Sequence, residues 1–135
     1  MAKCSELRPM LGVADPQRTV AFYCDRLGFR VCARFEHDGR LCWAHLARDK
    51  AEFMITGPIS ALQEESARKA LGCVILYLSV DDVRAFREES VASGVEVCEP
   101  VQRFYGMLEV ELRDPDGYTI LVGEDTGEEW DPHEA

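Results

Sequence analysis

The side chains of this chain that could do chemistry are few and scattered. Six cysteines (Cys4, Cys24, Cys32, Cys42, Cys73 and Cys98) and three histidines (His37, His45 and His133) form neither a Cys-x-x-Cys motif nor a paired Cys/His spacing. No zinc knuckle or redox centre is written into them, and reduced cysteines used as small packing residues are the simpler reading. His45 invites a closer look. If Asp38-Gly39 makes a two-residue hairpin turn, Phe35 faces Cys42 and Cys32 faces His45. A Cys-His pair can be nucleophilic, but nothing in the sequence places an oxyanion donor or an orienting carboxylate beside it. The other candidates are binding groups. Trp43, Phe53, Tyr77, Phe104 and Tyr105 could stack a planar ligand, and Glu109 and Glu111 could meet a cation. The bland alternative is that Trp43 and Phe53 pack and the glutamates lie on a solvated sheet face.

Those groups must be positioned by elements, and the clearest is the stretch from Leu108 to Val122. Leu108, Val110 and Leu112 alternate with Glu109, Glu111 and Arg113, the period of a strand with unlike faces. Asp114-Pro115-Asp116-Gly117 is turn chemistry, and Tyr118, Ile120 and Val122 resume the alternation. Earlier, Leu7, Leu11 and Val13 read as a strand ending at Asp15-Pro16, an N-cap followed by proline at the first helical position. Val20, Tyr23 and Leu27 share a helix face that Gly28 can close. Strands are expected from Phe29 to Phe35, Leu41 to Ala47 and Glu52 to Thr56.

The order then repeats. After a connector of helical tendency at Ile59 to Leu71, Val74 to Val80 reads as a strand. Asp81 or Asp82 caps a helix that Gly94 stops, Val95 to Val97 reads as a strand, and the Leu108 hairpin closes the unit. A constant offset of 66 relates Asp15 to Asp81, Gly28 to Gly94, Leu46 to Leu112 and Ile55 to Leu121. The expected class is α+β: two tandem β-α-β-β-β modules, at about 6–57 and 72–123, joined by a connector at 58–71 and followed by an acidic tail at 124–135.

A chain of 135 residues suits one such domain. No apolar run reaches the length of a membrane span and no signal-peptide core follows Met1, so a cytoplasmic protein is expected. The net charge of −10 argues against nucleic acid and anionic membrane as partners. Six acidic residues in the last twelve (Glu124, Asp125, Glu128, Glu129, Asp131 and Glu134) carry over half of that excess, the composition of a solvated tail.

Val13-x-Asp15, Ala21-Phe22-Tyr23, Leu27-Gly28-Phe29, Val80-Asp81-Asp82 and Arg113-Asp114-Pro115-Asp116-Gly117 together resemble the glyoxalase/bleomycin resistance/extradiol dioxygenase group, the vicinal oxygen chelate superfamily. The resemblance implies paired modules in a curved, barrel-like mixed sheet around a cavity, commonly completed in a homodimer. It also implies a divalent metal held by the first and last strands of the modules. The corresponding positions here are Arg8, Ile55, Ile75 and Leu121, none of which binds magnesium, manganese, iron or zinc. No metal or other cofactor and no catalytic residue is therefore expected. What remains resembles the bleomycin resistance branch: a protein that sequesters an organic, cationic and aromatic ligand. The alternative is a metal-independent lyase or isomerase with His45 or a glutamate as general base. The parity of those four positions puts Trp43, His45, Phe53, Tyr77, Glu109 and Glu111 on the cavity face, with Phe104 and Tyr105 near it.

Overall fold

Asp15 opens the first helix in the way its place before Pro16 predicts. In the computed structural model, which describes residues 1–127, its carboxylate accepts a hydrogen bond from Arg18 N at 3.3 Å and α1 runs Pro16–Ala21. The helix widens into a π-turn over Phe22–Arg26, which adds one residue to a helical ladder. In the second half the cap is Asp82 and not Asp81: it accepts from Ala85 N at 3.0 Å at the head of α3, Val83–Ala92. Cap and stop glycine are thus 13 residues apart in the first half and 12 in the second. The π-turn takes up the difference. Between them, the connector carries a 3-10 turn at Ser60–Gln63, α2 at Glu65–Ala70 and a second 3-10 turn at Leu71–Cys73.

The chain falls into two units, Met1–Ala67 and a second beginning at Arg68, and each builds its own four-stranded mixed sheet. The first has the order β1 (Met10–Gly12), β4 (Ala51–Thr56), β3 (Arg40–Arg48), β2 (Arg30–His37). The second has β5 (Ile75–Ser79), β8 (Thr119–Asp125), β7 (Met107–Arg113), β6 (Val101–Gln102). In both, the outer first strand runs parallel to the last and the other pairings are antiparallel. The eight strands form two four-stranded mixed sheets, one from each β-α-β-β-β module, the α+β class expected. Leu7 is exposed and lies before β1, so the first strand is shorter than expected, and Val95 and Val97 are buried but outside any strand. At the other end β8 continues through Glu124 and Asp125, and Glu124 accepts from Val83 N at 2.9 Å at the head of α3. The tail thus starts later than its composition suggests; Glu128, Glu129, Asp131, His133 and Glu134 lie outside the described residues.

Register decides which side chains face the helix. In the second sheet Val110 and Leu112 pair with Val122 and Ile120, and these four are buried along with Val83 and Phe86 of α3. In the first, Ala44 and Leu46 pair with Ile55 and Phe53, and the buried face includes Leu11, Tyr23, Leu27 and Phe29. Phe53 meets Tyr23 edge-on at 4.7 Å and Phe29 at 5.6 Å between ring centroids. Phe53 and Ile55 therefore sit in the core and not on the opposite face. The physical reason is one residue of turn. Leu46 is seven residues before its partner Phe53, whereas Leu112 is eight before Ile120. The repeat offset consequently steps from 66 to 67 across that turn, and a one-residue step flips every later side chain of the strand.

The Asp38-Gly39 turn forms as expected, with φ of 50° and 74° and His37 paired to Arg40. Two bulges then alter the hairpin. Cys42 is the extra residue on β3 and Cys32 the extra residue on β2, so Phe35 pairs with Trp43 and Ala33, not Cys32, pairs with His45. The Cys-His juxtaposition is not made. All six cysteines are free thiols.

Candidate functional site

Helices cover one face of each sheet, and the candidate groups other than Phe53 lie on the other face or at its edge. On the second sheet this open face is organised by Glu109, which is only 1% exposed. A buried carboxylate is costly unless its charge is matched and its lone pairs are used. Here Tyr105 Oη donates at 2.6 Å and Arg103 Nε at 3.1 Å to Oε1, while Tyr77 Oη donates at 2.8 Å to Oε2. Each donor reaches Glu109 for a local reason. Arg103 and Tyr105 lie in the β6–β7 hairpin, where Arg103 N bonds Met107 O, Gly106 N bonds Arg103 O, and Gly106 takes a φ of 85°. Tyr77 comes across β8 from β5, over Gly123, the residue that pairs with Glu109. A Cβ at Gly123 would run into the Tyr77 hydroxyl, so a side-chain-free position in mid-strand makes the contact possible.

The arrangement fixes protons as well as atoms. Tyr77 is 46% exposed overall, but its hydroxyl end is tucked against the carboxylate. Burial first, then the hydrogen bond and the negative charge of Glu109, push its pKa well above the ordinary tyrosine value. Tyr105 is raised for the same reasons in the same order, with Arg103 opposing. Both phenols stay protonated near neutrality and donate to Glu109. Around them Ile75, Phe104 and Glu111 are exposed, and Phe104 meets Tyr105 edge-on at 5.1 Å.

The open face of the first sheet is different. Trp43 lies between Phe35 and Thr56, and His45 between Ala33 and Met54. Phe35, at 59% exposure, and Met10 are the open apolar groups here. His45 Nε2 is 3.1 Å from Glu52 Oε1, and Arg8 reaches the other oxygen of Glu52 at 3.8 Å and Glu6 at 2.9 Å.

Of the eight binding candidates, Tyr77, Tyr105, Glu109 and Glu111 share the second sheet's open face, with Phe104 at the hairpin tip, and Trp43 and His45 share the first's. Phe53 belongs to the core, as its register requires. Glu109 carries no unmatched charge for a guest, and its counter-ion is Arg103, not Arg8 or Arg34, which pair with Glu6, Glu52 and Glu36. Arg103 and Glu52 were not legible as site residues. Arg103-Phe104-Tyr105-Gly106 does carry a turn signal six residues before Glu109, enough to bring both side chains back over the strand. Glu52 is visible only once the pairing at the Asp49-Lys50 turn is known.

A family model described as the Glyoxalase/Bleomycin resistance protein/Dioxygenase superfamily matches residues 7–122. The chain belongs to that superfamily. Solved structures share its fold at low identity. A bleomycin resistance determinant encoded on the transposon Tn5 has 22% identity and a TM-score of 0.68, with 90% of this chain and 98% of that one covered. A bleomycin-binding protein complexed with bleomycin has 22% identity, the same coverage and a TM-score of 0.69. TnmS3, an antibiotic binding protein from Streptomyces sp. CB03234, has 20% identity, a TM-score of 0.68 and coverage of 92% and 99%. No curated relative matches the chain.

The divalent metal associated with the superfamily's enzymes does not fit the residues present. With the observed register its four positions hold Arg8, Ile75, Leu121 and, in place of Ile55, Met54, which occupies in β4 the place of Leu121 in β8. A guanidinium, two hydrocarbons and a thioether offer nothing to a hard cation. Among the described residues no three His, Cys, Asp or Glu side chains converge elsewhere, and no helix is long and apolar enough to cross a membrane.

Proposed function

We propose that this protein binds and sequesters an organic, aromatic ligand without transforming it. The observation that carries the reading is the Tyr77/Tyr105/Glu109/Arg103 cluster: two rings held rigid by a buried carboxylate, beside exposed Ile75 and Phe104. Side chains already locked lose little entropy when a guest arrives, which is how a small binding face gains affinity. The unsuitable metal positions, and the occurrence of this fold in a bleomycin-binding protein and an antibiotic binding protein, support it. Trp43, with Phe35 beside it, is the stacking group proposed for the first unit. A cation preference now rests on Glu111 alone, since the charge of Glu109 is matched internally. We further propose a cytoplasmic homodimer, because all eight residues of β2 are exposed on an unpaired edge, a surface that a second copy can cover. Native mass spectrometry of protein taken from cell extract tests these points together. The expected species is a pair of chains carrying an intact organic molecule; a single chain would refute the dimer, and chemically altered ligand would refute simple sequestration.

The second reading, a metal-independent lyase or isomerase, is favoured by one observation. Glu52 orients His45, which is only 14% exposed at its side chain, as a general base would need. On that reading His45→Gln abolishes turnover of the ligand; on ours there is no turnover to lose.

A further inference from the structure

The hydrogen bonds around Glu109 decide what the cluster has left to give a guest. Both tyrosine protons are committed to the carboxylate at 2.6 and 2.8 Å, so each phenol offers a ligand only its ring and oxygen lone pairs. Arg103 uses Nε on Glu109. Among the described residues its two Nη groups have no hydrogen-bond partner, and its side chain is 45% exposed. The guanidinium is thus a planar fork held by one prong, on a side chain partly open to solvent and next in sequence to Phe104 and Tyr105. Arginine held this way is suited to a carboxylate or similar oxyanion in two parallel hydrogen bonds.

We infer that Arg103 is the polar specificity determinant of the second unit, and that it selects aromatic ligands bearing a carboxylate or comparable anionic oxygen. The inference rests on the binding function proposed above and reverses the charge preference that the acidic sequence suggests. Glu109 is the positioning residue: it neither meets the ligand nor repels it, because its charge is matched and its oxygens are occupied. The ligand's ring lies against the exposed aromatic side chains of the hairpin, and its anionic oxygen lies on the outer edge of the guanidinium.

A matched pair of probes on one aromatic frame tests this: naphthoate and naphthylmethylammonium, titrated into the full chain by calorimetry. The wild-type protein is expected to hold naphthoate about tenfold more tightly, the effect of one charge-assisted contact. Arg103→Gln is expected to erase the preference. Because Arg103→Gln also removes the counter-ion of Glu109, Arg103→Lys is the second variant. It keeps the charge but not the fork, and should lose most of the preference while thermal melting shows the fold intact. Tighter binding of the ammonium probe by wild type, or a naphthoate preference undiminished in both variants, overturns the inference and leaves the binding function standing. Failure of the wild-type protein to bind either probe overturns both.

Discussion

Where the second unit has Tyr77, Glu109 and Gly123, the first has Met10, Trp43 and Thr56, and each set is joined by the same strand pairings. Glu109 faces Gly123 as Trp43 faces Thr56, and Val101 faces Glu109 as Phe35 faces Trp43. Identical backbone register therefore carries an ion-paired polar cluster at these places in one unit and largely apolar side chains in the other, whose own polar pair, His45 with Glu52, lies further along the face. The helix-covered faces differ less in kind: aromatic edge-to-face contacts in the first, mainly aliphatic side chains in the second. The scaffold is set by the covered faces, and the open faces are free to diverge because the core does not depend on them.

The largest expected effect breaks the covered face. Phe53→Ala should remove its contacts with Tyr23 and Phe29 and destabilise the protein by about 4 kcal/mol. Chemical denaturation checks it, and a small loss of stability with a large loss of ligand affinity would return Phe53 to the binding face. Next comes Glu109→Gln, which leaves Arg103 without its counter-ion and should cost about 2 kcal/mol. Trp43→Gln at the equivalent place breaks no ion pair and should cost less in the same melting assay.

Gly123→Ala should cost about 1 kcal/mol by pushing Tyr77 off Glu109, while Thr56→Ala at the matching position stays within about 0.5 kcal/mol. A double-mutant cycle sharpens this, since in a Tyr77→Phe background most of the Gly123→Ala penalty should vanish. The smallest effect is in pH. Tyr77 and Tyr105 have pKa values raised by folding, so the stabilisation they bring is complete below the unfolded tyrosine value near pH 10 and is lost as pH rises through the folded values. The wild-type denaturation midpoint should fall above about pH 10 more steeply than that of the Tyr77→Phe/Tyr105→Phe double variant.

The sequence carried the fold well because helix caps, stop glycines and alternation are local. Asp15-Pro16, Gly28, Asp38-Gly39 and the Leu108 hairpin each declare themselves within a few residues. Its errors came from single residues of phase. The π-turn at Phe22–Arg26 and the shorter turn after Arg48 leave composition almost untouched, yet the second of them moves Phe53 from one face to the other. Bulges at Cys32 and Cys42 likewise leave no pattern, and they undo the Cys32-His45 pairing. The cluster at Glu109 was half legible: alternation put its carboxylate on the open face, but alternation says nothing about burial, and the partner arginine lay across a turn.

Gly123 sets an order in which such a site can be acquired. A tyrosine introduced at Met10 of the first unit would meet the side chain of Thr56 at the place where the second unit has none. A glutamate introduced at Trp43 with no donors around it would be a charge seeking a partner. The workable route is glycine first, then the tyrosine, with the carboxylate last, so each gain depends on a substitution that by itself does nothing useful. Changes to the first unit's apolar face should therefore be gradual and additive, whereas the polar cluster of the second is an epistatic block, gained or lost together.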